Sequence, residues 1–165
     1  MAMFFANVPV WVWPLLLLLI AIGVMSMRRR SARLMVVYAL PLMAIMPLRS
    51  VSSLSPPADM WAVIWAIFAL GYLLGALAGY WMQGRWIEGK SVTHIHLRGE
   101  AVTLGVLMVI FALNFVHGSM TALSPEVVAT LGFSGLFALV AAVAGGSFLG
   151  RAARIWRFPV GAQRA

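Results

Sequence analysis

Residues 61–85 read WAVIWAIFALGYLLGALAGYWMQGR, a run without a charge until Arg85, with tryptophans at both ends and a glycine at every fourth position between 71 and 79. A helix needs about 20 apolar residues to cross a hydrocarbon core roughly 30 Å thick, and tryptophan favours the two interfaces of that core. The stretch therefore predicts a membrane-spanning helix over about 60–82, with Trp61, Trp65 and Trp81 marking its ends. Similar apolar runs predict spans over about 8–27, 33–49, 100–117 and 127–149. The expected fold class is all-α, a five-transmembrane-helix protein forming one integral membrane domain over 1–165.

Composition points the same way. A chain that is 63% hydrophobic and 10% charged, with mean hydropathy +0.98, has too little polar surface to cover a soluble globule. Five crossings use most of the 165 residues, leaving no length for a separate catalytic or nucleotide-binding module. The formal charge of +8 would suggest nucleic acid in a soluble protein, but here the charge sits at helix ends, where it meets anionic headgroups. No nucleic acid partner is expected. There is no cysteine, which excludes disulfides, thiolate metal sites and thiol catalysis.

Orientation follows from the twelve Lys and Arg residues. All but Arg49 fall in three stretches, 28–33, 85–98 and 151–164, which alternate sides of the hydropathy pattern. Short loops rich in Lys and Arg stay cytoplasmic. The N-terminus is therefore expected outside, with Trp11 and Trp13 in the outer interfacial belt, and the C-terminus in the cytoplasm. Residues 1–7 carry no Lys or Arg, so the first run reads as an uncleaved helix rather than a signal peptide.

Between the third and fourth spans, the loop 83–98 places Glu88, Gly89 and Lys90 as a turn before an alternating segment with His94, His96 and Arg98 on one face. This predicts a short cytoplasmic β-hairpin. After the last span, the basic tail 150–165 spaces Arg151, Arg154 and Arg157 three apart beside Trp156. That spacing suits a short helix lying on anionic headgroups until Pro159 ends it. With Arg28, Arg29 and Arg30, these arginines are the expected headgroup contacts. Arg33, a span, Leu54-Ser55-Pro56, a span and Gly84-Arg85 match Arg98, a span, Leu123-Ser124-Pro125, a span and Gly150-Arg151, read either as a parallel repeat or as the outer turn and inner basic stop that every helical hairpin needs.

Small residues set helix packing in lipid, where no hydrophobic drive pulls helices together. Gly71, Gly75 and Gly79 form two GxxxG steps on the third span. Ala138, Ala142, Gly146 and Gly150 repeat that interval on the fifth, after Gly132 and Gly135. These stripes serve either packing within the chain or an oligomer interface.

Polar residues near membrane depth are the functional candidates: Arg49, Asp59, Asn114, His117 and Glu126, all toward the outer ends. Arg49 is read either as an interfacial residue pairing with Asp59 or Glu126, or as an anion contact in an outward-facing vestibule. Asn114 and His117, three apart, share a helix face suited to interhelical hydrogen bonding or to a ligand. His94 and His96 cannot join His117 on one metal, because 21 residues of helix span roughly 30 Å. No metal site, cofactor or catalytic constellation is expected. Enzyme activity is therefore not expected.

The Gly-rich last span and the segment Gly145-Gly146-Ser147-Phe148-Leu149-Gly150-Arg151 resemble an uncharacterised family of small bacterial multi-pass membrane proteins of unknown function. The resemblance implies a bacterial inner membrane and carries no catalytic residues across. Two functions stand level on the sequence: an accessory or structural subunit of a larger membrane assembly, and a homo-oligomeric channel or small transporter.

Overall fold

The structure is a computed structural model and describes residues 12–28, 30–33, 40–54 and 56–161. Its elements, in chain order, are α1 (Val12–Ser26), β1 (Arg30–Arg33), α2 (Leu40–Ser52), a 3-10 turn (Ala58–Met60), α3 (Trp61–Gln83), β2 (Ile87–Lys90), β3 (His94–Leu97), α4 (Val102–Leu123), the short α5 (Pro125–Val128) and α6 (Leu131–Arg157). Three of the helices are long and apolar enough to cross a membrane: Ala58–Gln83 with its leading turn, Val102–Leu123 and Leu131–Arg157. Among the described residues α1 has 15 residues and α2 has 13. The outer end of the first expected span, with Trp11, and the 34–39 part of the second lie outside the described residues.

The bundle is built on a seam between α3 and α6. Along it, backbone lies on backbone: a Cβ added at Gly75 would collide with the carbonyl of Val143, one at Gly79 with that of Ser147, one at Gly146 with that of Tyr72 and one at Gly150 with that of Ala76. The contacts advance in the same direction on both helices, so α3 and α6 are parallel, and α4 returns the chain between them. Both small-residue stripes are used up against each other. Of the two readings of these stripes, this contact is the packing within the chain.

Helix α2 lies on the other side of α6, where the Pro47 ring presses onto Gly145. Val51 and Leu54 from α2 and its end, Ile64 and Phe68 from α3, and Phe137, Ala138, Ala141 and Ala142 from α6 form the buried core. Trp61, Trp65, Phe68 and Tyr72 form an aromatic ladder along α3, with successive ring centroids 6.3, 5.5 and 5.7 Å apart.

Strands and helix ends together correct four expectations. Arg33, the expected start of the second span, lies in strand β1, because β3 supplies backbone partners over Arg30–Arg33: the sheet is three-stranded and antiparallel, in the order β1-β3-β2. Glu88, Gly89 and Lys90 lie in or at a bulge of β2 rather than forming the turn. The turn is at Ser91–Thr93, where the Ser91 N–H donates to the His94 carbonyl at 2.8 Å and the His94 N–H to Ser91 Oγ at 3.2 Å. The fourth helix runs past His117 to Leu123. Finally, the last helix does not stop at Gly150 but continues to Arg157. Its start is set by Thr130, whose side chain accepts from the Phe133 N–H at 3.3 Å, a normal N-cap. The arginines 151, 154 and 157 thus belong to the last bundle helix and not to a separate surface helix.

Candidate functional site

The sheet gathers what the sequence spreads over three loops. β1 brings the 28–33 stretch, β2 and β3 bring 85–98, and the end of α6 brings 151–157, all to one end of the bundle. Ile87, Ile95 and Ile155 bury one another there, with Leu97 and Phe158 packed alongside. Full burial of each such side chain is worth about 2 kcal/mol in a water-facing layer.

Lys90 closes this layer. It is only 8% exposed, and its ammonium donates to the carbonyls of Ile155 (2.9 Å), Phe158 (3.0 Å) and Trp156 (3.4 Å). Those are the groups a helix C-terminus leaves without partners, and a cation there also complements the helix dipole.

Arg151 is likewise turned inward, 4% exposed. Its Nη1 donates to Glu100 Oε1 and to Thr103 Oγ1, both at 3.0 Å, and Thr103 donates to the same carboxylate oxygen at 2.6 Å. Its guanidinium also lies 5.8 Å from the centroid of the Trp86 ring. A residue so enclosed cannot meet headgroups, so the expectation for Arg151 is corrected. Arg154 is half-buried, and Arg157 and Arg28 are exposed. Arg29 lies outside the described residues, and of Arg30 only the strand backbone is described. The start of α4 is tied to the end of α1: the Glu100 N–H donates to the Ser26 carbonyl at 3.0 Å, and Gly99 lies against the Met27 carbonyl with no space for a Cβ.

The outer candidates are not assembled into one site. Arg49, Asp59, Asn114 and Glu126 are all exposed, and no hydrogen bond or ion pair joins any two of these and His117 among the described residues. The Asn114 amide donates to the Ile110 carbonyl of its own helix at 2.8 Å. The His117 ring lies 4.9 Å from that of Phe137 and 6.2 Å from that of Phe133. In the sheet, His94 Nδ1 is 2.8 Å from the Thr93 hydroxyl, and His96 is exposed.

Helix α4 is the least enclosed of the three membrane-length helices. None of its residues is buried, and a cleft runs along each side of it. The cleft toward α3 and α6, about 510 Å³, is lined by Gly75, Gly79, Gly105, Val143 and Ser147, with Arg151 at its end. The cleft toward α1, α2 and α6, about 440 Å³, is lined by Phe111, Phe115, Phe137 and Phe148, and its polar groups include Asn114 and Ser50. Both are apolar spaces of the size that takes a lipid chain or a partner side-chain layer. Nothing in the sequence marked Glu100, Thr103, Lys90 or Tyr80, since their partners lie 48 to 74 residues away.

Comparison with protein-family models, with curated proteins and with solved structures finds no match to this chain.

Proposed function

We propose that the chain is a five-span bacterial inner-membrane protein, N-terminus outside and C-terminus in the cytoplasm, that acts as an accessory or structural subunit of a larger membrane assembly. The gathering of the three basic stretches at one end of the bundle supports the orientation, because such residues concentrate on the cytoplasmic side. The observation that carries the functional reading is α4, a membrane-length helix of 22 residues with no buried residue. A helix packed so loosely inside its own chain, between two apolar clefts, offers van der Waals surface to a partner helix.

A homo-oligomeric channel is less well supported. The small-residue stripes it would need between protomers are covered by each other, and the cleft linings are apolar. The test places a photo-crosslinking amino acid at Val109 or Val116, both exposed on α4, and at Leu73 or Leu77, exposed on α3. Native mass spectrometry of gently extracted membranes is the readout. A second protein in fixed stoichiometry, captured from the α4 positions, is the expected result. A symmetric oligomer of this chain alone, crosslinked through α4, would overturn the reading in favour of the channel.

A further inference from the structure

Arg154 and Arg157, three residues apart near the end of α6, converge on one ring. Their guanidinium carbons lie 4.9 and 6.0 Å from the centroid of Tyr80. Arg154 Nη1 donates to the Tyr80 hydroxyl oxygen at 3.1 Å, which leaves the phenol's own proton to be donated elsewhere. Gly84 makes this arrangement possible, since a Cβ there would stand 3.0 Å from Arg154 Nε.

Among the described residues no carboxylate pairs with either arginine. The chain has four Asp and Glu side chains, and all belong to described residues. Glu100 is held by Arg151, Asp59 and Glu126 lie before the starts of α3 and α6, at the far end of the bundle, and neither Arg154 nor Arg157 pairs with Glu88. Arg154 Nε is moreover buried without a hydrogen-bond partner among the described residues. Two guanidiniums drawn to one phenol repel each other unless an anion lies between them. Guanidinium groups match the oxygens of a phosphate in charge and geometry.

The level of the site names the source. Trp81 and Trp156, next in sequence to Tyr80 and close to Arg157, are 75% and 50% exposed, as befits residues in the belt where a membrane meets water. We propose that Arg154, Arg157 and the Tyr80 hydroxyl form a seat for the phosphate of an anionic phospholipid, the two cations taking its charge and the phenol donating to a free oxygen. The proposal rests on the chain's being a membrane protein and is independent of the accessory role.

The test uses the purified full chain in mixed micelles of equal phosphatidylglycerol and phosphatidylcholine, with bound lipid counted by native mass spectrometry. Wild type should retain phosphatidylglycerol in roughly tenfold preference, a ratio typical of a few charge-assisted hydrogen bonds. Arg154→Gln/Arg157→Gln should lose that preference, whereas Arg85→Gln/Arg98→Gln, which removes the same charge from two exposed positions, should keep it. Equal loss in both double variants would reduce the effect to bulk charge and overturn the seat. Displacement of the lipid by millimolar inorganic phosphate would overturn the lipid assignment in favour of a soluble anion. Should the first double variant fail to fold, Tyr80→Phe decides, because it keeps the ring and removes only the donor. A loss of roughly threefold is expected, and an unchanged preference overturns the proposal.

Discussion

Arg151 and Glu100 pose the sharpest question at the scale of single residues, because their side chains are 5% and 8% exposed and only one carboxylate oxygen is engaged; Glu100 Oε2 is buried without a hydrogen-bond partner among the described residues. Removing one partner strands the other charge. Arg151→Leu or Glu100→Leu alone should therefore cost about 3–5 kcal/mol, while the double substitution should recover most of the loss. Thermal unfolding of the three variants in one detergent closes the cycle, and additive losses would show that the pair is not coupled. Their pairing could not be read from the sequence, where Arg151 stood as one of several expected headgroup contacts. Their pairing spans 51 residues and depends on the end of α1 holding the start of α4 in place. The glycines were legible for a local reason, their spacing of four. What spacing could not supply was the partner, and the two stripes proved to be each other's. Gly75→Leu or Gly146→Leu should accordingly destabilise the chain by about 1–3 kcal/mol through overpacking against a carbonyl. At Gly118 or Gly132, where nothing lies within 4 Å of an added Cβ, Ala should be neutral or stabilise by about 0.5–1 kcal/mol. The same unfolding measurement separates the two classes, and equal effects at Gly75 and Gly132 would contradict the seam.

Among the elements, the contrast lies between helices that hydropathy reveals and strands that it does not. The long apolar runs announce α3, α4 and α6 because lipid demands their length whatever their neighbours are. Their ends depend on neighbours, and there the reading from sequence failed: Gly150 looked like a stop but is helical against Ala76, so α6 carries on to Arg157. β1 is the clearer case. RSAR has no strand pattern of its own, and only β3, about sixty residues later, gives it hydrogen-bond partners. Lys90 then fastens the sheet to α6 by covering three terminal carbonyls. Lys90→Met preserves the aliphatic stem but deletes the donors, and should cost about 1–3 kcal/mol. It should also speed hydrogen exchange of the sheet amides and those near Ile155 together. Faster exchange in the sheet alone would mean that Lys90 does not couple the two.

For the molecule as a whole, the sheet adds a geometric constraint to the proposed orientation. The basic stretches 28–33, 85–98 and 151–157 meet in a single layer, so they must share a side of any membrane the bundle crosses; were one outside, β1, β3 and α6 could not touch as they do. The parallel course of α3 and α6 agrees, since an antiparallel pair would have placed their basic ends on opposite sides. This makes topology testable with few measurements. Because the chain contains no cysteine, a single introduced thiol reports its own location. Val92→Cys sits at the hairpin turn, where the native side chain is 79% exposed, and Glu126→Cys sits at an exposed position of the short α5, before α6. A membrane-impermeant maleimide applied to intact cells should label Glu126→Cys readily and Val92→Cys only after permeabilisation. The reverse pattern would invert the molecule, moving the sheet and the Arg154–Arg157 pair to the outer face. Labelling of both positions in intact cells would break the link between the basic layer and the cytoplasm, since the helices α4 and α6 that separate them would then fail to span the bilayer.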